Sequence, residues 1–156
     1  MKKYKVILIS GGFDPVHRGH IECINQAKEI SDEVWVGINN DNWLLRKKGK
    51  SFMKQEERKF IMENIKNVSY AYVMNPKIHN DDTAIDFIDH ARWKYIKENG
   101  DLRKGSMAFG NGGDRTENTT PENHICNSYG IDSVWQLGDK IQSSSWLLEK
   151  YLNLAE

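Results

Sequence analysis

Cysteine is scarce in this sequence: only Cys23 and Cys126 occur among 156 residues, and they form no CxxC pair. That excludes a disulfide framework and a thiolate zinc site, and leaves two buried free thiols as the expectation. An excess of charge of either sign is missing too, because 22 Lys and Arg balance 22 Asp and Glu to a formal net charge of zero. A neutral chain has no general attraction for a phosphate backbone, so nucleic acid is not expected as a partner. Long hydrophobic runs are also absent. Near the N-terminus only Val6, Ile7, Leu8 and Ile9 are consecutively apolar, too few for a signal peptide or a membrane span. No membrane association and a cytoplasmic location are therefore expected. With 38% hydrophobic and 28% charged residues, the composition is that of a globular chain, and its length suits a single domain over residues 1–156.

What is present is an alternation. Within residues 5–10 the apolar positions Val6 to Ile9 are continuous and mostly β-branched, which predicts a strand buried on both faces. Ile21, Ile24, Ala27 and Ile30 then recur at helical spacing. Further strands are predicted at 33–38, 68–74, 106–109 and 133–137, and helices at 54–65, 83–97 and 145–154. Strands alternating with helices imply an α/β fold with a doubly wound parallel sheet. Ligands of such sheets bind beyond the carboxyl ends of the strands, where three loops should gather: 11–20, 110–122 and 138–145.

The first loop reads GGFDPVHRGH. Gly11 and Gly12 let backbone amides approach a ligand, and the helix start behind them favours negative charge, so a phosphate suits the site. His17 and His20 are three residues apart and share a face, from which both can donate to one anion. Two other readings stay open: Asp14 as a turn cap beside surface histidines, and Asp14, His17 and His20 as transition-metal ligands. The stretch RKKGKSFMKQEER crowds Arg46, Lys47, Lys48 and Lys50 around Gly49. It is no P-loop, since that motif needs glycine at position 44, where leucine stands. GNGGDRTENTTPE fails the dinucleotide pattern because Arg115 occupies the last glycine's place. Ser143, Ser144 and Ser145 head the final predicted helix, more serines than one cap requires.

The decapeptide resembles the G-x-F-D-x-x-H-x-G-H signature of the cytidylyltransferase-like nucleotidyltransferases, matched at Gly11 or Gly12, Phe13, Asp14, His17, Gly19 and His20. Other segments fit the resemblance. The basic stretch resembles the family's loop before its second helix, ending in Glu57-Arg58. Gly112-Gly113-Asp114 is similar to a loop of heptose-phosphate adenylyltransferases, with Arg115 in place of an aromatic residue, and the three serines resemble the family's closing motif. The serines are not followed by the arginine of nicotinamide-mononucleotide adenylyltransferases. Lys140 stands where glycerol-phosphate cytidylyltransferases carry an Arg-Thr-Glu-Gly lead-in.

The resemblance implies a Rossmann-like sheet and transfer of a nucleotidyl group from ATP or CTP to a phosphorylated small molecule, with release of pyrophosphate. It implies that His17 and His20 stabilise charge at the α-phosphate and that Asp14 orients the turn or a metal. Gly11, Gly12 and Phe13 form the nucleotide cradle. Lys48, with Lys47 one register away, and Arg58 neutralise phosphates. Gly112, Gly113 and Asp114 shape the base pocket, and Ser143, Ser144 and Ser145 hold the β- and γ-phosphates. Magnesium is expected on the triphosphate rather than in a protein metal site. A sugar or polyol phosphate is the expected acceptor. A cofactor precursor such as nicotinamide mononucleotide or phosphopantetheine, a catalytically silent nucleotide-binding module, and a homodimer stay open as alternatives.

Overall fold

A computed structural model describes residues 2–77, 81–112, 120–137 and 144–155. In chain order the elements are β1 (Tyr4–Gly11), α1 (Arg18–Glu29), β2 (Ser31–Ile38), α2 (Asp41–Lys48), α3 (Gln55–Glu63), β3 (Tyr70–Val73), α4 (Ile85–Asn99), β4 (Met107–Gly112), α5 (Asn123–Tyr129), β5 (Asp132–Leu137) and α6 (Ser144–Ala155). The strands form one parallel sheet in the order β3-β2-β1-β4-β5, the expected Rossmann-like arrangement.

β1 is apolar at consecutive positions because both of its faces are covered. Ile7 and Ile9 join one core with Ile24 and Ala27 of α1 and Met62 of α3, while Val6 and Leu8 join the other with Phe87, Ile88 and Ala91 of α4. Close helix packing on this sheet needs gaps in the strands. A Cβ on Gly37 would lie 2.3 Å from the Phe87 ring, and one on Gly110 would lie 2.6 Å from Leu137 Cδ1. Gly110 is thus a packing residue inside β4, which runs to Gly112, so the loop expected from position 110 does not start there.

Two helices were not expected from the sequence. The basic stretch does not start in a loop: Arg46, Lys47 and Lys48 form the last turn of α2. Asn40 opens that helix by accepting from the Trp43 N–H at 2.9 Å, and Gly49 closes it in the left-handed region at φ +80°, a conformation that suits glycine. Cations at a helix C-terminus face the negative end of its dipole. The helix α5 is short and likewise stops at a left-handed glycine, Gly130.

From β1 the chain moves outward through β2 to β3, then crosses back to lay β4 on the other side of β1. Strand order therefore reverses between β1 and β4. The crevice expected to hold a ligand lies beyond their carboxyl ends, where the 11–20 turn and Gly112 are placed. No helix of the described residues is long and apolar enough to cross a membrane.

Candidate active site

The first turn of α1 is capped by imidazoles. His17 is the N-cap residue, and its Nδ1 accepts the Gly19 N–H at 3.1 Å. His20 reaches back so that its Nδ1 accepts the His17 N–H at 3.2 Å. This is the reciprocal geometry of a capping box, usually built by Ser or Thr with Glu. Imidazole adds something those residues cannot. An Nδ1 that accepts a backbone N–H carries no proton of its own, so a neutral ring in this position is protonated on Nε2. Both rings then offer an Nε2–H donor on the side away from the backbone, and the rings stack with centroids 3.8 Å apart.

Electrostatics keep the pair neutral. Burial, then the neighbouring His17 and the charge of Lys48, push the pKa of His20 down to about 3. His17 is lowered as well, first by burial and then by Lys48. At neutral pH the turn therefore presents two neutral donors beside one cation. The first turn of α1 holds no acidic residue, so its free amides meet no carboxylate of their own helix.

Phe13 holds the turn from below. It is a non-glycine residue at φ +53°, a backbone state that persists only where the surroundings enforce it. Its buried ring contacts His20 edge-on at 4.9 Å and fills the space beside Gly11, where a Cβ would come within 3.1 Å of it. The Phe13 ring thus leaves little room for a side chain at Gly11, and Gly12 lies against Leu44 and Trp43 of α2.

Asp14 and Arg58 act within the protein. The buried Asp14 carboxylate accepts the backbone N–H groups of Phe52 and Met53, each at 2.6 Å, so it orients the segment after α2. Arg58 was expected to neutralise phosphate. Its side chain is fully buried, and it donates to the carbonyls of Met53, Gly12 and Asn39 at 2.6 to 2.9 Å and to Asp41 at 2.8 Å. Those contacts tie together the chain after β1, the chain after β2 and the entry to α3. Four of its five N–H donors are taken by protein acceptors and the side chain is fully buried, so it faces the protein interior rather than a phosphate.

Lys47 and Lys48 have different neighbours. Lys47 and Arg46 pair with Asp82 at 2.9 and 3.0 Å and hold its carboxyl below the usual range, whereas Lys48 places its charge beside both imidazoles. Gly112 ends β4, with its Cα opposite that of Leu137. Ser144 and Ser145 open α6, whereas Gly113, Asp114 and Ser143 lie outside the described residues. Among the described residues no three His, Cys, Asp or Glu side chains are grouped to hold a metal ion. Burial disfavours the thiolate at both free cysteines, raising Cys23 to about 11 and Cys126 to about 12.

Sequence reasoning missed Asn111, Asn40 and Trp43. Asn111 is buried at the end of β4 with its Oδ1 unpartnered among the described residues. Asn40 carried a readable signal as a cap three residues before Trp43. Nothing in the spacing marked the other two.

With this geometry established, the sequence model of the family described as cytidylyltransferase-like matches residues 8–146. The chain belongs to that family. It is 34% identical over 86 residues to glycerol-3-phosphate cytidylyltransferase of Bacillus subtilis, covering 55% of this chain and 64% of that one. It is 30% identical over 90 residues to the bifunctional protein HldE of Helicobacter pylori strain P12, covering 56% of this chain and 18% of that protein. The cytidylyltransferase-like chain thus matches less than two thirds of either relative's length. Its fold is similar to that of a bifunctional NMN adenylyltransferase/ADP ribose pyrophosphatase from Francisella tularensis, solved with AMP and a manganese ion. That similarity has a TM-score of 0.66 at 17% identity, over 96% of this chain and 42% of that one.

Proposed function

We propose that this protein is a nucleotidyltransferase that joins a nucleoside monophosphate from ATP or CTP to a phosphorylated small molecule. An oxygen of the acceptor's phosphate attacks the α-phosphorus in line. The bond from that phosphorus to the α,β-bridging oxygen breaks, and pyrophosphate leaves with its electron pair. No protein nucleophile takes part, so catalysis consists of positioning and of stabilising charge. The observation that carries the reading is the pair of imidazoles whose Nδ1 atoms are occupied by backbone amides; their two Nε2–H donors are left to stabilise charge that grows on the α-phosphoryl oxygens. Lys48 supplies the cation beside them.

The described side chains form no cage for a divalent ion. Magnesium would arrive held by the triphosphate's own oxygens, and none of the steps above is routed through it. Ser144 and Ser145, with Ser143 before them, are proposed to hold the β- and γ-phosphates at the start of α6, while Gly112, Gly113 and Asp114 shape the base site. The name of the glycerol-3-phosphate cytidylyltransferase relative supports a polyol phosphate as acceptor, the likeness of Gly112-Gly113-Asp114 to a loop of heptose-phosphate adenylyltransferases supports a sugar phosphate, and the reading takes the protein as a single domain working in the cytoplasm.

The test is pyrophosphate release from ATP and CTP, each with glycerol 3-phosphate, a heptose phosphate, nicotinamide mononucleotide and phosphopantetheine. Release with one triphosphate and one of the first two acceptors is expected. Nucleotide binding without release from any pair would favour a silent binding module.

A further inference from the structure

Trp43 joins the cradle of the histidine motif to a second recess. At one corner of its indole, Cζ3 lies 3.8 Å from where a Cβ on Gly12 would stand, so the benzo ring flanks the turn that carries His17 and His20. At the opposite corner, Nε1 is buried and has no hydrogen-bond partner among the described residues. An indole N–H left without an acceptor costs about 1–3 kcal/mol, and most buried Trp N–H groups find one. The ring also lines a recess between α2 and the connection from β3 to α4, together with Asn39, Asn40, Arg46, Asp81 and Thr83.

That recess is nearly closed. Its open space is about 10 Å³, room for about one water molecule. Beside it, Arg46 and Lys47 of α2 bridge to Asp82, which stands between the lining residues Asp81 and Thr83. All three side chains are more than a quarter exposed, and ion pairs of that kind hold weakly, by about 0–1 kcal/mol. A ligand carrying its own anion could take both cations from Asp82 and part the walls. Beyond Pro76 and Asp81, which also line a neighbouring open cleft of about 540 Å³, there is space for the rest of a sugar-sized group.

We propose that Trp43 is a specificity-determining residue for the acceptor: its Nε1–H donates to a hydroxyl of a sugar or polyol phosphate that enters between α2 and the β3–α4 connection, its phosphate drawn by Arg46 and Lys47. The inference rests on the nucleotidyltransferase reading and adds to it the group that distinguishes a hydroxylated acceptor. The lining fits that chemistry, because an aromatic ring flanked by Asn39, Asn40, Asp81 and Thr83 offers both an apolar face and many hydrogen-bonding groups. A site built to bond a hydroxyl discriminates strongly against analogues that lack it.

Two measurements test this. In the ¹H–¹⁵N spectrum of the wild-type protein, the assigned Trp43 indole resonance should shift when glycerol 3-phosphate or a heptose phosphate is added, and should stay in place with inorganic phosphate alone. In kinetics, Trp43→Phe keeps an aromatic ring at position 43 and removes the N–H together with the outer edge of the indole; KM for the acceptor should rise at least tenfold while KM for the triphosphate changes less than twofold. If the wild-type enzyme turns over neither acceptor, the function proposed above fails. If it does turn one over, an unmoved indole resonance or an unchanged acceptor KM in Trp43→Phe overturns the role of Trp43 and leaves the function standing. Should the variant not fold, the wild-type resonance decides alone.

Discussion

The guanidinium of Arg58 donates to the carbonyl of Gly12 at 2.7 Å from a position with no exposure to solvent. It thereby fixes the start of the histidine motif to the segment that follows the basic helix end. Asp14 makes the matching connection in the other direction, through the Phe52 and Met53 amides. The site is held together by a buried charge on each side of the same junction.

Arg58→Lys should therefore act on structure first. A lysine keeps the charge but cannot reach four acceptors in fixed directions, and each buried acceptor left unsatisfied costs about 1–3 kcal/mol. The melting temperature should fall, and trypsin should cut after Lys48 and Lys50 faster than in the wild type. A lysine variant with unchanged stability and weakened triphosphate binding would return Arg58 to the phosphates.

Lys48→Ala and Lys47→Ala should differ. The first removes the cation beside the imidazoles and is expected to lower kcat by about 10²-fold or more, as loss of a transition-state contact does. The second breaks a half-exposed pair with Asp82 and removes one of the two cations proposed to draw the acceptor's phosphate, so KM for the acceptor should rise while kcat stays within a few-fold. Equal losses in the two variants would contradict the division between them.

Much of this arrangement was legible in the sequence because it depends on pattern. The continuous apolar run of β1, the helical spacing of Ile24 and Ala27 and the signature from Gly11 to His20 specify the sheet, the first helix and the position of the crevice. Other features depended on partners far along the chain. Arg58 looks like any surface cation until Gly12, Asn39 and Met53 converge on it. α2 was obscured because Leu44 is its one buried residue, so no apolar stripe announces it; only Asn40 and Gly49 do, through their caps. Gly110 looked like the start of a loop, yet its missing side chain makes room for Leu137 and Ile9.

Gly37→Ala should destabilise the protein without touching the site. The new methyl would meet the Phe87 ring, which is itself fully buried and cannot swing clear. Overpacking of this kind costs about 1–3 kcal/mol. The urea midpoint should fall while triphosphate affinity at saturating folded protein stays the same; an unchanged midpoint would mean that α4 rides less closely on β2 than described.

The depressed histidines predict an acid limb in stability. The unfolded chain takes up a proton near the ordinary value of 6.5, whereas folded His20 resists until about 3. Falling pH therefore favours unfolding from about 6.5 downward, while stability above that value is unaffected by this residue. Comparing urea midpoints at pH 7.5 and 5.5, above the range where most carboxylates titrate, should show a smaller decline in His20→Gln than in the wild type. Equal declines would mean that His20 titrates normally and is not held neutral.

The central claim is that His17 and His20 serve catalysis through Nε2–H while Nδ1 serves the fold, and His17→Asn separates the two. Asparagine is a good N-cap residue and its Oδ1 can still accept the Gly19 N–H, but nothing replaces the distal donor. The measurement is kcat for nucleotidyl transfer with the best substrate pair, taken with melting temperature and triphosphate affinity on the same preparation. A loss in kcat of about 10²–10³, with both other quantities unchanged, is the predicted result. Full turnover by His17→Asn would contradict it and leave His17 as a helix cap alone.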